Sequence, residues 1–253
     1  MASPATGNLE KGDAFVAEEL LAHPENVAEI LIRPEETAEE IERRLVHPRI
    51  RGLKCYHTLL GRRDTMFSDV EEYLPEAAWE VAEKRGLVIT LHLVKDAALS
   101  DPKNLSYIID HAKRYPHATL ILAHAARAFA AWTGIEAIDS VAGLDNVWYD
   151  FSSVCESPAM LRILQRAGVE KCMWGSDYPI CRGRGKPISL ADTFYWIMER
   201  DLERFSSGNT LHHWFIGIEN LMATRQACIL ADLNEDRVED LFYGNAARLF
   251  DKK

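Results

Sequence analysis

Short apolar runs alternate along this chain with amphipathic stretches, and that alternation limits what it can fold into. VAEILIRP (27–34), IRGLKCYH (50–57), LVITLHLV (87–94), ATLILAH (118–124), NVWYDFS (146–152) and KCMWGSD (171–177) each read as a strand. LVITLHLV is apolar almost throughout, as expected of a strand buried on both faces. Residues 13–22 read as a helix with Asp13 as its N-cap, and 35–45 run from acidic to basic, in keeping with a helix dipole. Residues 70–85 form an amphipathic helix stopped at Arg85-Gly86. Further helices are expected over 103–114, 133–142 and 158–167. Strands alternating with helices of this length imply parallel βαβ units and an α/β fold. Beyond Tyr178 the chain reads as a long loop (178–190) followed by helices.

The chain has 253 residues. About 250 is typical of an eight-stranded α/β barrel, yet only six strands are recognisable, and the stretch from Asp13 to Asp177 has room for six βα units, not eight. No composition break marks a second domain, so residues 1–253 are expected to form one barrel-like domain. Lys and Arg number 29 against 39 Asp and Glu, a net charge of −10, which argues against a nucleic-acid partner. No apolar run approaches the ~18 residues of a membrane span. Cys55, Cys155, Cys172, Cys181 and Cys228 are odd in number and form no CxxC pair, which fits reduced thiols. The N-terminus lacks the basic and apolar regions of a signal peptide, and a cytoplasmic protein is expected.

In parallel α/β folds sites form outside the carboxyl ends of the strands. Lys54 and His57 lie in or just after the second run, His92 interrupts the third, His124 closes the fourth and Asp177 closes the sixth. A lone His in an apolar strand is most often a hydrogen-bonded core residue. Three polar groups at equivalent strand ends favour a metal-type site, since burying them together is costly unless they pair or bind an ion. Arg127, three residues beyond His124, is either a bidentate grip on a substrate carboxylate or a solvated surface group. Lys54 divides between substrate contact and a structural ion pair. Arg182, Arg184 and Lys186 form a basic cluster that either attracts an anionic substrate or decorates a solvated loop. Phosphate-loop, dinucleotide-loop and nucleophile-elbow patterns are absent. Trp196 and the HHW at 212–214 read as packing or oligomer contacts.

LVITLHLV, ATLILAHAAR, NVWYDFSS, KCMWGSDYP and YGNAARLF together resemble the amidohydrolase superfamily, specifically its amidohydrolase-2 branch of decarboxylases and hydrolases. The resemblance runs from about residue 13 to 250 and implies a (β/α)8 barrel with one divalent metal, usually zinc. It makes His92 a metal ligand and places His124 beside the metal, orienting water or substrate. It makes Asp177 both a metal ligand and a proton carrier. Lys54 sits where a lysine is common. The family's first strand carries a His-x-His or Glu-x-His metal pair, and no such pair occurs here. The six strands align with the family's third to eighth. Three readings stay open: a shortened gene product, a natural variant without the pair, or ligands from another segment or subunit. An open sheet exposes two edges, which are expected to be covered by the terminal segments or to pair with another copy. A homo-oligomer and weak metal binding are both expected. The activity expected first is metal-dependent hydrolysis of a C–N, lactone or ester bond in a small carboxylate-bearing substrate, with Asp177 and His124 catalytic and Arg127, Lys54, His57 and Arg184 binding substrate. The alternatives are decarboxylation of a small aromatic or unsaturated acid, and a degenerate barrel with an interaction role.

Overall fold

The structure is a computed structural model describing residues 8–202 and 215–251. Strands β1 (Ala28–Ile32), β2 (Ile50–Cys55), β3 (Val88–Leu91), β4 (Thr119–Leu122), β5 (Val147–Asp150) and β6 (Cys172–Met173) form one parallel sheet in that order. All six fall within the apolar runs, and the sheet stays open. Each strand is shorter than its run. Leu93 and Val94, for example, are fully buried but lie beyond the β3 ladder, because apolar patterning records burial and not hydrogen bonding.

The chain gathers into two compact units. The first holds residues up to Lys95, Asp101–Leu122 and Leu144–Trp148; the second holds Asp96–Ser100, Ala123–Gly143 and the chain from Tyr149 on. In the first unit β1 pairs β2, β2 pairs β3 and β3 pairs β4, with Leu31 opposite Lys54, Lys54 opposite Thr90 and Thr90 opposite Ile121. Ile30, Ile32, Leu53, Ile89 and Leu91 bury the opposite face, with Ile41 and Trp79 from the helices. Burial of each such side chain contributes roughly 1.5–3 kcal/mol.

Helix α1 (Leu9–Ala22) starts earlier than expected, with Asn8 as N-cap. Asp13 is not a cap: it lies inside α1 and pairs with Arg44 Nε at 2.7 Å. Arg44 ends helix α2 (Ala38–Arg44), which opens on a Thr37–Glu40 capping box, and its Nη2 donates to Leu31 O at 2.6 Å on the outer strand β1. The expected 70–85 helix is two, α3 (Val70–Tyr73) and α4 (Glu76–Arg85), because Pro75 disfavours a helical Leu74 and cannot continue the ladder. Gly86, at φ 61°, stops α4 as expected. Helix α5 (Pro102–Arg114) is capped by Asp101.

In the second unit β5 pairs β6, with Asp150 opposite Met173. Helix α6 (Ala131–Ala137) covers half of the expected 133–142 segment, and α7 (Ser157–Ala167) matches 158–167 closely. The expected loop is a correction. Residues 185–198 form an antiparallel hairpin, β7 (Gly185–Leu190) and β8 (Thr193–Met198), turning at Ala191-Asp192. The Gly-, Arg- and Pro-rich opening hides the strand, and Pro187 is tolerated because a two-stranded ribbon is all edge. Helix α8 (Glu199–Leu202) follows the hairpin, and α9 (Ile216–Leu230), α10 (Glu235–Glu239) and α11 (Asn245–Phe250) lie toward the C-terminus. The HHW segment lies outside the described residues. No helix among the described residues is long and apolar enough to cross a membrane. The five cysteines are free, and burial pushes the Cys55 and Cys155 thiols up to about 12.

Two buried asparagines fasten the strand ends of this unit. Asn220 on α9 donates to Phe151 O at 2.6 Å and Val154 O at 2.7 Å, and accepts from Trp174 Nε1 at 2.6 Å. Asn245, in the GNAARLF segment, donates to Val169 O at 2.7 Å and Cys172 O at 2.8 Å. Trp174 N–H donates to Leu241 O at 2.9 Å, so the C-terminal segment covers the outer strand β6. Asn220→Ala and Asn245→Ala each strip two carbonyls of their donor. Each is expected to lower the unfolding free energy by about 2 kcal/mol or more, measured by urea denaturation. A change within error would show that these amides do not fasten the strands.

Candidate functional site

The site in the second unit is built around two adjacent serines. Where β5 ends, Asp150 Oδ1 accepts from Ser152 N–H at 2.6 Å and bends the chain. Ser152 and Ser153 are both buried. Ser152 O lies 2.9 Å from His124 Nδ1, and Ser152 Oγ lies 3.0 Å from the same nitrogen. A carbonyl oxygen only accepts, so Nδ1 carries the proton in the neutral ring and Nε2 is the basic nitrogen. Ser153 Oγ donates to Asp177 Oδ2 at 2.7 Å. Neighbouring residues after β5 therefore orient one group that follows β4 and one that follows β6.

The backbone at these positions is strained. His124, Ala125, Ala126 and Arg127 have φ of 57°, 51°, 61° and 62°, and Ser153 and Asp177 have 59° and 53°. A left-handed conformation costs a residue with a Cβ about 1–2 kcal/mol, and such residues cluster where function demands them. The segment expected as a strand end and loop is instead one tight left-handed turn, Ala123–Arg127. Arg127 is buried, with its guanidinium 5.3 Å from the Phe194 ring centroid, so it is not a solvated surface group. Gly175 in WGSD makes room for the bend. A Cβ there would sit 3.2 Å from Asp150 Oδ1 and 3.4 Å from Ser152 Cβ.

Arg184 pairs with Glu199 of α8 at 2.9 Å and lies over Phe215, and Lys186 pairs with Glu219 of α9 at 3.1 Å, so these two members of the basic cluster are engaged in ion pairs. Lys54, His57 and His92 belong to the first unit. Lys54 is half-buried on β2. His57 Nδ1 lies 2.8 Å from Thr65 Oγ1. His92 is one residue past β3, buried, with ring centroids 5.0 Å from Tyr56 and 5.8 Å from His57. Sequence reasoning missed Asp150, Ser152 and Ser153. Their signal was the polar DFSS that closes the fifth apolar run, as polar groups close the others.

Residues 11–252 match a family model described as Amidohydrolase. No curated protein matches the sequence. Among solved structures, an amidohydrolase from Burkholderia multivorans with bound zinc aligns with TM-score 0.61 and 15% identity over 95% of this chain and 79% of its own. A 2,6-dihydroxybenzoate decarboxylase from Rhizobium aligns with TM-score 0.56 and 13% identity over 96% and 76%. A 5-carboxyvanillate decarboxylase from Novosphingobium aromaticivorans with bound manganese aligns with TM-score 0.56 and 14% identity over 96% and 70%. At these identities the likeness concerns the fold.

A catalytic zinc takes three protein ligands. Among the described residues no group of three or more His, Cys, Asp or Glu side chains is placed to hold a metal ion. The described residues thus do not fit a metal centre, and no step below runs through one. The purified chain, desalted after exposure to zinc, is expected to retain well under one equivalent by elemental analysis. One tightly held equivalent would overturn this view of its donors.

Proposed function

The chain belongs to the amidohydrolase family whose model it matches, and from that premise we propose that it is a decarboxylase of a small aromatic or unsaturated carboxylic acid. The order of reactions expected from sequence is thereby reversed. Two decarboxylases of hydroxylated aromatic acids share its fold, and they favour decarboxylation over hydrolysis. The observation that carries the reading is the Ser152–Ser153 pair, which orients a base and an acid from adjacent backbone positions.

Decarboxylation asks the protein to hold an acid and to deliver a proton to the carbon that loses carbon dioxide. Arg127, a buried cation, pairs with a substrate carboxylate. Asp177, in its protonated form, gives its proton to the carbon bearing the departing group. The C–C bond then breaks, its electron pair stays on the substrate, and carbon dioxide leaves. Asp177 is left as a carboxylate, steadied by the Ser153 hydroxyl, and regains a proton from water. His124 Nε2 accepts a hydrogen bond from a substrate hydroxyl, because Ser152 commits the proton to Nδ1.

The test supplies the protein with a panel of hydroxybenzoates and unsaturated dicarboxylates. Deuterium entering the vacated carbon from heavy water is followed by NMR. Asp177→Asn is expected to lower turnover by at least about 10²-fold, and Ser153→Ala by roughly tenfold or less. Hydrolysis of amides or lactones with no loss of carbon dioxide from any acid would overturn the proposal.

A further inference from the structure

The turn that carries His124 and Arg127 cannot be stable by itself. Four consecutive residues with a Cβ stand in the left-handed region, and such a conformation persists only where surrounding contacts over-determine it. On one side the restraint is the Ser152 carbonyl. Rings add a further restraint. Phe129 stacks on His124 with centroids 5.4 Å apart and planes inclined by 28°. Phe194 meets Phe129 at 5.0 Å, and Trp196 meets it edge-on at 5.3 Å. Arg127 lies over Phe194. Both Phe194 and Trp196 stand on β8.

The hairpin is itself fastened. Ser189 N–H donates to Glu156 Oε1 at 2.8 Å, and Ser189 Oγ lies 2.6 Å from Glu156 Oε2 and 3.3 Å from Phe129 O. Glu156 is the residue that opens α7, so the hairpin is anchored to a regular element. Phe129 is buried and flanked by His124, Phe194 and Trp196, which makes it a link in a packed series and not a platform for substrate.

We infer that the β7–β8 hairpin is the buttress of the turn, with Phe194 as a positioning residue that fixes Arg127 through its ring face and His124 through Phe129. The inference rests on the roles given above to Arg127 and His124. A guanidinium over an aromatic face is held in direction as well as in place, and a carboxylate met by a pre-oriented guanidinium binds more tightly.

Phe194→Leu keeps apolar bulk and removes the ring, and Phe194→Tyr restores the ring. Binding of 2,6-dihydroxybenzoate is measured by calorimetry, the Arg127 Nε–H resonance by NMR, and folding by thermal melting. Phe194→Leu is expected to weaken binding roughly three- to tenfold and to move the Arg127 resonance as the ring-current shift is lost, with the melting temperature little changed. Phe194→Tyr is expected to restore both. Wild-type affinity and resonance in Phe194→Leu, or failure of Phe194→Tyr to restore them, overturns the inference. Arg127→Met separates it from the proposed function. Binding lost in Arg127→Met but intact in Phe194→Leu removes the buttress alone, whereas binding intact in Arg127→Met removes the carboxylate role as well.

Discussion

Ser152 and Ser153 are consecutive residues of the turn that follows β5, with Ser153 in the left-handed region. One strand end can therefore address both of its flanks: the Ser152 carbonyl holds His124 and the Ser153 hydroxyl holds Asp177. The arrangement works only while the strand ends keep their spacing. Phe151 N–H donates to Met173 O at 2.9 Å, which extends the β5–β6 ladder to the residue before the serines. Asn220 takes up the carbonyls of Phe151 and Val154 on either side of the pair, and it also holds the Trp174 indole that precedes Asp177. One side chain on α9 thus spans both halves of the Ser153–Asp177 contact. The packing of the C-terminal segment and the orientation of the acid are the same physical question.

Strain enters at the same place. Backbone in the left-handed region at His124, Arg127, Ser153 and Asp177 is unfavourable locally and must be offset by neighbours. For Ser153 and Asp177 the offset is their mutual hydrogen bond. For the turn at 123–127 the Ser152 carbonyl, ring stacking by Phe129 and the Phe194 face beneath Arg127 contribute to it. A turn that relied on local propensity would hold glycines. This one holds His, Ala, Ala and Arg, so its shape comes from tertiary packing.

That difference explains what could be read from the sequence. The six strands were legible because a run buried on both faces needs only a stretch of apolar residues. His124 and Asp177 were legible because polar groups closing such runs are conspicuous. The serines were not, since Ser is ordinary in any strand-to-helix connection and only the fold shows what it touches. The hairpin was hidden by its first residues, although Phe194-Tyr195-Trp196-Ile197 carries strong strand propensity. Asp13 reads as a cap by residue type, yet its partner Arg44 is on another helix, and no local pattern announces such a pairing.

Histidine rings in each of the two units make contacts that bear on their orientation. His92 and His57 stack on one another and on Tyr56, and stacking fixes the plane of a ring without choosing which nitrogen bears the proton. The hydroxyl of Thr65 beside His57 Nδ1 can donate or accept. At His124 a carbonyl oxygen faces Nδ1, and a carbonyl cannot donate. The carbonyl partner therefore selects the His124 tautomer by its own chemistry. Under the proposed function that fixed tautomer is what presents Nε2 to the substrate hydroxyl, so the Ser152 carbonyl is part of the acid–base arrangement the proposal describes.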